Sequence, residues 1–125
     1  MTLKGILAAF AIAAATVAAN AHEVAKGPNG GKVVDIAGHH LEFTHTPAEL
    51  TIYTTDETDK PLATAGGKGR AVIQSAGKTA QLQLAPAEPN KLVAKLDAPL
   101  ASGAVVVVST TFSDGHTAQA RFTID

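Results

Sequence analysis

The sequence predicts an all-β protein, a small antiparallel β-sandwich that follows a cleaved signal peptide. Three observations carry that expectation. Short apolar or β-branched runs are separated by clusters of Gly, Pro, Asn and Asp, the punctuation of a many-stranded fold. Within several of those runs apolar side chains recur at every second residue, the period of a strand with one covered face. Beyond residue 21 no stretch keeps a 3.6-residue period long enough for a helix.

The first 21 residues read as an export signal and not as part of the fold. Lys4 supplies a positive charge, Gly5 to Val17 carry no charged side chain, and Ala19-Asn20-Ala21 gives a small-x-small cleavage pattern. The apolar run falls short of the roughly 20 residues that span a bilayer. No second such run follows, so no membrane insertion is expected after cleavage. Residues 22–31 are expected to form a flexible tail and a glycine-rich turn, where Asn29-Gly30-Gly31 suits the positive φ of a tight reversal.

Residues 32–125 are expected to form the sandwich. Lys32 to Ile36 is the first strand, stopped by Ala37-Gly38. In His39 to Thr44, Leu41 and Phe43 share one face, and His40, Glu42 and Thr44 share the other, exposed one. Leu50 to Thr54 alternates again and ends in the polar cluster Asp56 to Pro61. Gly66-Gly67-Lys68-Gly69 precedes a strand over Arg70 to Gln74, and Ser75-Ala76-Gly77-Lys78 precedes one over Ala80 to Leu84. Lys91 to Leu96 sets Leu92, Ala94 and Leu96 against Lys91, Val93 and Lys95, and its lysines suit the edge of a sheet. Val105 to Val108 is a β-branched run expected to be covered on both faces. Asp114-Gly115 signals a two-residue hairpin, and the return strand turns Ala118, Ala120, Phe122 and Ile124 inward.

Composition narrows the function. Loss of the signal removes Lys4 and leaves a net charge of −2, with nine basic against eleven acidic side chains. That balance leaves no electrostatic footprint for nucleic acid and no polybasic patch for anionic lipid. There is no cysteine, so thiol catalysis and thiolate metal sites are excluded and stability must come from packing. The single methionine is the initiator, which removes the thioether ligands that favour Cu(I).

Five histidines are the unusual polar feature: His22, His39, His40, His45 and His116. Neutral imidazole is a common ligand for borderline transition metals. His39 and His40 must point to opposite faces of their strand, with His40 the exposed one and His39 partly covered near a strand end. His45 lies in a bend before Thr46-Pro47. His116 flanks the hairpin turn, where a polar side chain is ordinary, and is expected to matter least. Cleavage after Ala21 would make His22 the first residue, whose α-amine and ring nitrogen chelate one ion. A second His then completes a three-nitrogen site suited to Cu(II). Cleavage after Ala19 would instead start the chain Asn20-Ala21-His22, where amine, two amides and imidazole enclose Cu(II) or Ni(II) in a square plane. The expected metal site is therefore His22 with His40, His39 and His45, holding Cu(II) foremost, with Zn(II) or Ni(II) as alternatives.

The stretches "GPNGGKVVD" and "GHHLEF" resemble the glycine-rich opening and first strands of small periplasmic proteins tied to heavy-metal efflux. These include the extra N-terminal segment of some RND-type efflux adaptor subunits. The resemblance spans about Gly27 to Phe43. It implies a periplasmic β domain that binds or hands over a transition metal, with His22, His39 and His40 as ligands and a metal-efflux complex as partner.

An enzyme is the weaker expectation. Ser113-Asp114-Gly115-His116 holds triad residue types, but within a single turn, where an extended Ser–His–Asp chain of hydrogen bonds cannot form. No nucleophile elbow, phosphate loop or dinucleotide fingerprint is present. The alternative to a metal binder is a secreted β-sandwich that serves as an interaction or structural module without metal.

Overall fold

The computed structural model describes residues 25–112 and 114–125. Nine strands account for most of them: β1 (Ala25–Lys26), β2 (Lys32–Ile36), β3 (His39–His45), β4 (Glu49–Asp56), β5 (Lys68–Ser75), β6 (Lys78–Ala87), β7 (Lys91–Lys95), β8 (Val105–Thr111) and β9 (Thr117–Thr123). All pairings are antiparallel, in the order β1-β2-β3-β4-β7-β6-β5-β8-β9. No helix occurs among the described residues. The all-β, sandwich-like fold expected from the alternation is what the chain adopts.

The long strand β6 turns this row of strands into two layers. Its first part pairs with β5, from Ser75↔Lys78 to Gly69↔Leu84, and its last three residues pair with β7, from Ala85↔Val93 to Ala87↔Lys91. One layer is therefore β1-β2-β3-β4-β7 and the other β5-β8-β9, with β6 as the shared corner. The layers close at the far side, where the Phe43 ring of β3 stacks on Phe122 of β9 with centroids 4.9 Å apart. Between them lies a core of Leu41, Leu50, Ile52, Leu92, Val106, Val108 and Phe122, each almost fully removed from water. The period-2 pattern makes this possible, since alternate side chains of every strand reach the same face.

Several elements differ from the sequence expectation, each for a physical reason. Lys91–Lys95 is not an edge strand: β7 lies between β4 and β6, and its lysines sit on a central strand. The valine run is covered on one face only, with Val106 and Val108 buried and Val105 and Val107 half-exposed, because none of the described residues packs outside β8. The closing hydrogen bond at the β8–β9 turn runs from the Phe112 N–H to the His116 carbonyl. That turn is wider than a two-residue reversal, and Gly115 takes φ 90° in it.

The opening segment is organised too. Ala25 pairs with Val33 and Lys26 with Lys32, so strand pairing begins before the expected boundary at Lys32. Glu42 is 4% exposed although it lies on the outward face of β3. Its carboxylate accepts hydrogen bonds from the backbone N–H groups of Asn29 and Gly31, both 2.9 Å, and from the Asn29 amide at 3.0 Å. The Gly27–Gly31 turn thus folds over Glu42 and is pinned to it by these three hydrogen bonds.

Candidate metal centre

His39 opens β3 and shares the inward parity of Leu41 and Phe43, which aims it at the end of the sandwich where the β8–β9 turn arrives. Its ring stacks on Phe112, centroids 4.6 Å apart, and lies 5.6 Å from the ring of His116. Asp114 joins them. One ligand atom from each of His39, Asp114 and His116 can be chosen so that all lie within 4.8 Å of one another.

The turn itself prepares this group. Asp and its neighbours two residues on commonly close a turn through the carboxylate. Here one Asp114 oxygen accepts the His116 backbone N–H at 2.9 Å, and the other meets His116 Nδ1 at 2.7 Å. A ring nitrogen held by a carboxylate fixes the imidazole and raises the basicity of its other nitrogen. In that arrangement the His116 Nε2 points away from the carboxylate, so Asp114 must release Nδ1 before it and His116 can hold one ion. The hydrogen bonds from the His116 side chain and then its backbone hold the Asp114 carboxyl below its ordinary value of 3.8, so it is ionised near neutrality.

A metal–nitrogen bond of about 2.0–2.1 Å places tetrahedral ligand atoms about 3.3 Å apart. The cluster must therefore contract by up to about 1.5 Å at its widest edge. Asp114 and His116 are exposed and free to supply that movement, while His39, half-buried against Phe112, is the fixed point. Two imidazoles and a carboxylate form a donor set for Zn(II), Cu(II) or Ni(II).

The other expected ligands fall elsewhere. His40 faces outward, opposite His39, with Nδ1 3.0 Å from Asp59 Oδ1 and Nε2 3.5 Å from Asp35 Oδ2. That geometry makes it a bridge between β2 and the loop after β4. His45 is exposed at the other end of β3, tilted against Phe43 at 5.6 Å. Six residue steps, about 20 Å along a strand, separate it from His39. His22 lies outside the described residues. Asp114 and His116 were the residues that sequence reasoning passed over. The signal available was the inward parity of His39 together with Asp and His two residues apart in one turn.

No protein-family model matches the sequence, and no curated protein matches it. Among solved structures the chain is similar to a crystal structure of a Br derivative of BhCBM56, a carbohydrate-binding module. The two share 14% identity with a TM-score of 0.45, over 74% of this chain and 99% of that one.

Proposed function

We propose that the protein is an exported, non-catalytic binder of a divalent transition metal, Cu(II) ahead of Zn(II) or Ni(II), that serves metal homeostasis or resistance. The observation that carries this reading is the convergence of His39 with Asp114 and His116 from opposite layers of the sandwich. Cu(II) stands first because nitrogen and oxygen sites bind it most tightly among the divalent first-row ions. The resemblance of residues 27–43 to efflux-associated periplasmic proteins supports the same role and suggests a metal-efflux complex as partner.

His22 is proposed as a further ligand. The chain enters β1 at Ala25, opposite Val33, and Ile36 at the end of β2 pairs with His39. Three residues reach about 10 Å when extended, which matches the length of strand from Val33 to Ile36. His22 is thus within chain reach of the end of the sandwich that carries His39.

The test is a Cu(II) titration of the mature protein against a competing chelator. His39→Ala and His116→Ala should each lower affinity at least tenfold, about 1.4 kcal/mol, and His22→Ala should do likewise. His45→Ala, at the far end of β3, should leave it unchanged. Unaltered affinity in both the His39 and His116 variants would overturn the assignment. Absence of any Cu(II), Zn(II) or Ni(II) binding would leave an interaction module without metal.

A further inference from the structure

The outer face of the β6-β5-β8-β9 layer carries a groove of about 640 Å³. The registers build it as a cross-strand row. Gln83 pairs with Arg70, Arg70 with Ser109, and Ser109 with Gln119, so these four side chains stand side by side on one face. Lys68 and Thr111, also paired, form the next row. The rim is made of amides, hydroxyls and two cations, with no carboxylate and no aromatic ring.

Two further features point to a ligand. The side chains of Lys68, Arg70, Gln83 and Gln119 make no hydrogen bond or ion pair with another described residue. The charge is also segregated: this face carries Lys68, Arg70 and Arg121, and β5, β6, β8 and β9 hold not one Asp or Glu, in a chain whose net charge is negative. A cationic face on an acidic protein focuses anions towards it.

We propose that this groove binds an acidic oligosaccharide, a chain of uronate-type sugars lying across the strands. Neighbouring strands are about 4.7–4.9 Å apart, close to the length of one sugar ring, so the row Gln83-Arg70-Ser109-Gln119 presents one polar side chain per sugar. Arg70 offers its planar fork to a carboxylate, the bidentate pairing for which guanidinium is suited. The glutamine amides, each both donor and acceptor, match hydroxyl groups that need both. An acidic peptide fits less well, because its residues recur at about 3.3 Å and fall out of step with the spacing between strands.

The experiment is calorimetric titration of the mature protein, in chelator to exclude any metal bridge, with a galacturonate hexamer. A neutral glucose hexamer and a glutamate hexapeptide serve as the two comparisons. The galacturonate hexamer should bind with an affinity that falls as salt is raised, and Arg70→Ala should weaken it at least tenfold. Gln119→Ala, which removes no charge, should weaken it without altering the salt dependence. His39→Ala should bind the sugar normally, which separates this groove from the metal centre. Failure of the galacturonate hexamer to bind, or binding untouched by Arg70→Ala, would overturn the proposal. Equal or tighter binding of the peptide or the neutral sugar would overturn it as well.

Discussion

Single side chains in this molecule act mainly through what they hold in place. Asp114 is the clearest case, since both its oxygens are spent on His116. Asp114→Asn should lower Cu(II) affinity at least tenfold, since it removes one of the three candidate ligands, as read by chelator competition. The acid side follows the same bond. A carboxyl whose folded value is depressed contributes stability above its ordinary range and loses it as pH falls through the lowered value. Asp114 and Asp56, the latter held low by the Thr58 hydroxyl and the Lys60 N–H, should therefore give up their contributions only below about pH 4. Acid unfolding of Asp114→Asn, followed by circular dichroism, should lack the Asp114 share. At Gly31 the control is steric: a Cβ there would collide with the Phe43 carbonyl oxygen and the Thr44 side chain. A backbone oxygen cannot swing away, so Gly31→Ala should cost about 1–3 kcal/mol in urea unfolding. The inward parity of His39 was readable from its strand. Its partner was not, because nothing local in residues 114–116 says which strand the turn will face. Glu42 was misjudged for a related reason, since parity gives the face of a strand but not whether a distant turn will cover it.

Among the elements, β6 decides the architecture and Phe122 of β9 shows how the layers are held. Phe122 is 1% exposed and stacks on Phe43 across the interface, at the side where no strand is shared. Phe122→Ala should lower stability by about 3–5 kcal/mol, from lost transfer energy and a cavity that the rigid strands cannot close. Thermal or urea unfolding measures it, and a loss under about 1 kcal/mol would mean the layers do not rely on that contact. Strand positions were legible nearly throughout, because alternation is written into each segment separately. Sheet order was not. The lysines of β7 look like edge protection in the sequence, yet pairing with β4 and with the tail of β6 places the strand centrally. Which strands become neighbours depends on long-range pairing, which local alternation does not encode.

At the scale of the whole molecule the His39–Asp114–His116 cluster joins two layers that also meet through apolar contacts, the β6 corner and the Lys32 contacts with Thr123 and Asp125. Any ligand that binds only the folded state stabilises it by mass action, about 2.7 kcal/mol at a hundredfold excess over Kd. Cu(II) should accordingly raise the melting temperature of the protein by about 10–20 °C. The rise should vanish in the His39→Ala, His116→Ala double variant, and scanning calorimetry of both proteins checks it. A rise of equal size in the double variant would place the ion elsewhere.

The separation of the ligands along the chain has a consequence of its own in time. Seventy-four residues lie between His39 and Asp114, and β9 must be laid beside β8 before the turn can face β3. A polypeptide still emerging from the ribosome, or still threading through an export channel, holds one of these ligands without the other two. On the proposed export route, a chain that crosses a membrane unfolded would not carry this three-residue centre with its ion. Under that proposal loading would belong to the destination compartment, and the metal in the finished protein would report the supply there and not where the chain was made.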